Sequence, residues 1–224
     1  MRTFAKCYPT QKWQIFRHYE PDIHFFLSCV DDQQADSVKL LSDDYENVNV
    51  ERYQDPTDLP KIPASAGAFA PYANATTHDK LMLQHWGNEK VWKFFRASKK
   101  WASFDTIIRI RPDIWIHRFR PTVSVVDSEC ICPWWGKFGG INDRLAILGP
   151  VAALSYFTMI NKIPRLLNAG CPFHPETLLA EALRMDGIFI NDRLMAEFST
   201  ERLDGSRRWA EIVMSDIAEL IASR

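Results

Sequence analysis

Residues 22–53 read "DIHFFLSCVDDQQADSVKLLSDDYENVNVERY", and their changing period decides the fold. "DIHFFLSCV" is a continuous apolar run, as in a strand covered on both faces. "DDQQADSVKLLSDDY" begins with acid, where a helix dipole favours it, and reads as a helix. "NVNVERY" alternates like a half-buried strand. Upstream, "TQKWQIFRHY" (10–19) puts Trp13 and Phe16 at helical spacing. Helix, strand, helix, strand predicts an α/β domain with a parallel sheet. Residues 1–4 are expected to be the stub of a first strand.

Further along, 54–78 holds four prolines and no period. Such a segment is either a lid or acceptor loop, or a surface linker. Thr76 and Asp79 have capping-box spacing, and Leu81, His85, Asn88, Trp92 and Phe95 follow as a helical stripe that Gly87 interrupts. "FDTIIRIRPDIWI" (104–116) predicts a central strand over 105–111, and "TVSVVDSECIC" (122–132) another. Pro150 opens a helix over 150–160, and Pro175 opens one over 174–187 that ends at Gly187. "GIFIN" (187–191) is a short strand. The chain is expected to form one domain over 1–224, with a core of about 1–191 and a helical extension of about 192–224.

The 224 residues carry 46% apolar and 25% charged residues with a net charge of -1, so no basic field argues for nucleic acid. No segment has the roughly 20 apolar residues of a membrane span, and the N-terminus lacks a signal-peptide core. Five cysteines, Cys7, Cys29, Cys130, Cys132 and Cys171, match no zinc spacing. Free thiols predict a cytoplasmic setting. Cys130 and Cys132 are expected on one face of a strand. Nothing in the sequence sets an oligomeric state.

Three clusters carry chemistry. Arg109, Arg111 and Asp113 stand two apart where a hydrophobic strand runs out, and ligands of open α/β sheets bind at strand carboxyl ends. Two guanidiniums there can grip a diphosphate, while Asp113 can take a metal or a sugar hydroxyl. An internal Arg111–Asp113 salt bridge is the other reading. In "KFGGINDRLAILG" (137–149), Gly136, Gly139 and Gly140 permit close backbone approach to a ligand, and Asp143 is either a base or a turn former. His174 and Glu176 open a helix, as cap and dipole partner or as groups facing a cleft.

In this order, "MRTF", "FDTIIRIRPDIWI", "FGGINDRLAILGP" and "FHPETLLAEAL…GIFI" resemble a family of small GT-A-fold glycosyltransferase-like proteins from bacterial surface-polysaccharide loci and large algal viruses. The resemblance covers roughly residues 1–190. It implies an α/β, GT-A-like (nucleotide-diphospho-sugar transferase) fold: a single domain with a mixed, mostly parallel central sheet flanked by helices. It also implies sugar transfer from a nucleotide-diphosphate sugar to a hydroxyl acceptor. Arg2, Thr3, Arg109, Arg111, Asp113 and Gly140 then bind the donor. Asp113, at the DxD-like position, is the expected ligand of Mn2+ or Mg2+. Trp135 and His174 border the glycan or other acceptor. Asp143 is the first catalytic base and Glu176 the second. Arg-Pro-Asp departs from Asp-x-Asp, so the arginines can replace the metal. The same departure keeps open a non-catalytic nucleotide- or carbohydrate-binding protein on this scaffold. For a generic α/β hydrolase or phosphatase, the sequence lacks the G-x-S-x-G elbow and any dense His/Asp metal cluster.

Overall fold

The structure is a computed structural model that describes residues 4–19, 25–29, 35–45, 48–52, 59, 75–98, 101–121, 124–194, 196–201 and 207–208. Helix α1 (Phe4–Gln14) is followed by β1 (Phe25–Cys29), α2 (Ala35–Asp44) and β2 (Val48–Arg52). β1 and β2 pair in parallel, Phe25 against Val48 through Cys29 against Arg52. The expected helix–strand–helix–strand order is therefore present. The helix begins at Phe4, where a strand stub was expected; residues 1–3, with Arg2 and Thr3, lie outside the described residues.

Helix α3 (Ala75–Ala97) runs through Gly87 without a break. β3 (Ile107–Ile110) and β4 (Ile114–Phe119) follow, joined by the Arg-Pro-Asp turn. β5 (Glu129–Pro133), β6 (Leu145–Leu148), α4 (Pro150–Phe157), α5 (Ile163–Asn168), α6 (Pro175–Met185), β7 (Phe189–Leu194), β8 (Ala196–Glu201) and β9 (Arg207–Arg208) complete the described elements.

The main sheet has the order β3-β6-β5-β7. β6 runs antiparallel to both β3 and β5, and only β5 and β7 are parallel. The second sheet, β4-β8-β9, is antiparallel throughout. The chain is thus mixed α/β, but its described pairings are mostly antiparallel, not mostly parallel. The physical reason lies in the connections: β5 reaches β6 through a loop and not through a crossover helix, which forces reversal. β3 ends the main sheet among the described residues and is not central to it.

The main sheet is covered differently on its two faces. Cys130, Cys132, Ala146 and Leu148 face the cluster built with α3, α4, α5 and α6. Their neighbours Ile131, Leu145 and Ile147 face Ile114, Ile116, Leu194 and Phe198, from β4, β7 and β8. This is the period-2 alternation of a strand, and it places both cysteines on one face, as expected. Helices therefore cover one face and the smaller sheet covers the other. Residues 192–194 and 196–201, expected in a helical extension, finish β7 and form β8. Within β8, "AEFSTE" pairs with β4, Ala196 against Phe119 through Thr200 against Ile114, and this tertiary pairing overrides helical propensity. The "RRWAEIVMSDIAELIASR" stretch lies outside the described residues beyond the two residues of β9. No helix among the described residues is long and apolar enough to cross a membrane.

One backbone approach fixes the working end of this layout. The β5–β6 loop meets the start of α6 at Gly140, where an added Cβ would stand 1.9 Å from the Glu176 carbonyl oxygen and 2.5 Å from the Thr177 nitrogen. Ile141 N–H donates to that same carbonyl at 3.1 Å. Gly140 therefore serves packing of loop on helix, where approach to a donor was expected. Gly140→Ala should cost about 3 kcal/mol through this clash with unyielding backbone, read as a lowered urea midpoint at unchanged slope.

Candidate functional site

The site forms where β3, β5 and β7 end and β6 begins. Its floor is Asp143, only 3% exposed, two residues before β6. Gln84 of α3 donates to Asp143 Oδ2 at 2.8 Å. Arg144 Nη1 lies 3.9 Å from Asp143 Oδ1, and Arg109 Nη1 donates to the Asp143 carbonyl. The Tyr156 hydroxyl donates to the same carbonyl at 3.3 Å. Asn142 braces the loop from within: its amide donates to the Trp135 carbonyl at 2.9 Å, and its Oδ1 accepts the Arg144 N–H at 2.9 Å.

Glu176, 2% exposed, enters from the first turn of α6. Arg144 Nη2 lies 3.7 Å from its Oε1, and His174 Nδ1 lies 3.2 Å from its Oε2. His174 occupies the N-cap position of α6, but its side chain makes no capping bond. The imidazole turns to Glu176 instead. Arg144 thus stands between two carboxylates.

One environment drives those carboxylates apart. Burial pushes the Asp143 carboxyl up, but the charges of Arg109, Arg111 and Arg144 and the Gln84 hydrogen bond outweigh it and hold the group below its ordinary value. Burial, reinforced by the Asp143 charge, pushes Glu176 up to about 8 despite Arg144. At neutral pH Asp143 is ionised and Glu176 is mostly protonated. Burial also lowers His174, so its contact with Glu176 is one between neutral groups.

The Arg-Pro-Asp turn closes one side. β3 ends at Ile110, although the Arg111 N–H still donates to the Arg144 carbonyl at 3.0 Å, and Asp113 lies past the strand in the turn to β4. Arg109 points into the interior, whereas Arg111 pairs with Asp113 through Nε at 2.9 Å and Nη2 at 2.6 Å. Burial opposes the Arg111 charge, yet Asp113 holds the guanidinium firmly protonated. Gln11 of α1 pins the turn from below, donating to the carbonyls of Arg111, Pro112 and Ile114 at 3.3, 3.4 and 2.9 Å. The salt-bridge alternative for this motif is the one that forms.

That pairing bears on the expected metal. Both Asp113 carboxylate oxygens accept from Arg111, and the neighbouring positive charge repels a cation. Among the described residues no three His, Cys, Asp or Glu side chains are grouped to hold an ion. The residues do not fit Mn2+ or Mg2+ at Asp113.

Trp135 was expected to face an acceptor. It is buried instead: its indole N–H donates to the Ala196 carbonyl at 2.8 Å, and its ring packs 4.4 Å from Phe198. A large aromatic beside a new sheet gains more from burial than from solvent. The structure thus brings together Asp143, Glu176, Arg109, Arg111, Asp113 and His174, and assigns Trp135 and Gly140 to packing. Compared with models of known protein families, with curated proteins and with solved structures, the chain matches none.

His85 was legible only as a member of the α3 stripe. It is 1% exposed, and neither ring nitrogen has a hydrogen-bond partner. A polar residue at an apolar stripe position was the available signal. Burial is the main cause that lowers it to about 4, with Asp143 opposing and Arg109 assisting. The unfolded chain takes up this proton near 6.5, but the folded one refuses it until about 4. The unfolded state therefore binds more protons in that window, and stability falls as the pH drops through it. His85→Leu should be at least as stable as the native chain at neutral pH and should flatten this acid limb, measured by urea unfolding across the window.

Proposed function

We propose that this chain is a nucleotide-sugar-dependent glycosyltransferase on a GT-A-like scaffold, moving a sugar to a hydroxyl acceptor in surface-polysaccharide or glycan synthesis. One observation carries the reading: Asp143 and Glu176 are held in opposite protonation states beside Arg109, Arg111 and Arg144, at the carboxyl ends of the strands. Paired groups with separated pKa values mark acid–base work, and that strand end is where α/β sheets take ligands. The free thiols of Cys130, Cys132 and Cys171 suit a reducing, cytoplasmic setting.

The roles follow from the charges. Sugar transfer breaks the bond between the anomeric carbon and the diphosphate, which leaves with the electron pair. Arg111 and Arg144, with side chains 26% and 21% exposed, are the cations open to that diphosphate. They stabilise the charge that develops on it without a metal. The acceptor oxygen attacks the same carbon, and its proton must go to a base. A carboxylate with a depressed pKa is a weak base, whereas one near 8 is matched to neutral conditions. The sequence order is therefore reversed: Glu176 takes the proton in its ionised form, and Asp143 keeps the arginines neutralised and oriented. His174 aligns the Glu176 carboxyl.

A second reading rests on the Arg111–Asp113 pair, which engages both carboxylate oxygens of the acid at the DxD-like position: a nucleotide- or carbohydrate-binding protein without turnover. Titration calorimetry with a panel of UDP-, GDP- and TDP-sugars, together with an assay of donor hydrolysis and transfer, separates the two. Binding with turnover supports the transferase, binding without turnover supports the second reading, and no binding by any donor ends both. For the transferase, kcat/KM should rise with pH to a plateau above about 8, because Glu176 acts ionised. Glu176→Gln should retain donor binding and lose this limb, with turnover reduced about 100-fold or more.

A further inference from the structure

Phe138 has a conformation that side chains avoid. Its φ is 43°, in the left-handed region, although it is neither glycine nor asparagine. It is also 45% exposed, so the strain does not serve to bury the ring. Such strain persists only where the surroundings impose it, and it concentrates at functional sites. Here the surroundings are explicit. Gly140 N–H donates to the Lys137 carbonyl at 2.7 Å, Thr177 Oγ1 donates to the Phe138 carbonyl at 3.4 Å, and Gly140 is pressed against the backbone of Glu176. The loop holds a phenyl ring in solvent beside the site, with its centroid 5.9 Å from the His174 ring at 54°.

We propose that Phe138 is a stacking platform for the pyranose ring of the acceptor. The proposal rests on the transferase reading and adds the subsite that reading lacked after Trp135 proved to be core. Position decides between ring types. The phenyl stands beside His174 and Glu176, the group that takes the acceptor's proton. The ring that carries the reacting hydroxyl must lie there. The nucleotide follows its diphosphate to Arg111 and the Arg-Pro-Asp turn. The apolar C–H face of a pyranose suits an aromatic face, while its hydroxyls remain free for the polar side.

Saturation-transfer NMR tests this with the methyl glycosides of glucose, galactose and mannose, and separately with UDP and GDP. The native chain should transfer saturation to the ring C–H protons of at least one glycoside. Phe138→Gly and Phe138→Leu should lose that signal at least about fivefold, the scale of one lost ring stack, while Phe138→Trp keeps it. Leucine retains the bulk but has no π face, so it separates stacking from packing. Phe138→Gly should melt no lower than the native chain, since glycine adopts positive φ freely. UDP and GDP signals should be equal in all four proteins. Glycoside signals that survive in the Gly and Leu variants, that are absent from the native chain, or that stay unchanged while nucleotide signals fall would overturn the platform. Absence of UDP and GDP binding from the native chain counts against the transferase reading alone, because the glycoside comparison does not depend on it.

Discussion

The charge on Asp143 is the constraint from which the site follows. Arg109 is buried against its carbonyl, and a buried guanidinium without a counter-charge is expensive. Asp143 must therefore remain ionised. Once it does, a second anion at Glu176 would face it with only Arg144 between them. Burial above all, reinforced by that charge, leaves Glu176 protonated. The ionised Asp143 and a titratable Glu176 poised near working pH are thus parts of one arrangement, and neither carboxylate can be understood without the other.

The fold supplies this arrangement by uniting three sources at one sheet end. The β5–β6 loop brings Asp143 and Arg144, α6 brings His174 and Glu176, and the β3–β4 turn brings Arg111 and Asp113. Helices on one face and a second sheet on the other keep β6 buried along its length. The loop is consequently anchored on a rigid strand at one end and on a helix start at the middle, which is how side chains are held at fixed separations.

What could be read from the sequence divides along physical lines. Local periodicity exposed β1, α2, β2, α3 and α6 with bounds near those observed, because each pattern reports its own burial. Pairing partners were not legible. "IWIHRF" alternates well, but it follows Pro112, which reads as the end of a ladder and not as a corner between two sheets. Trp135 and Gly140 show a second limit: an aromatic suits a core or a sugar, and a glycine suits a ligand or a helix. Only the neighbours distinguish these. Asp143, Glu176 and His174 were found because charged groups beside glycine and proline are locally conspicuous. Gln11 was missed because an amide in a helix gives no sign of the carbonyls it will meet a hundred residues later.

The Gln11 amide has a consequence for how the molecule is assembled. It joins the first helix to Ile114 across 103 positions of chain. Contacts of such separation form late, since the intervening loop must close before they return any free energy. During synthesis α1 emerges long before its partner turn exists and must wait for the middle of the chain. The corner that carries Arg111 therefore takes its bracing from Gln11 only once the two halves of the chain have met.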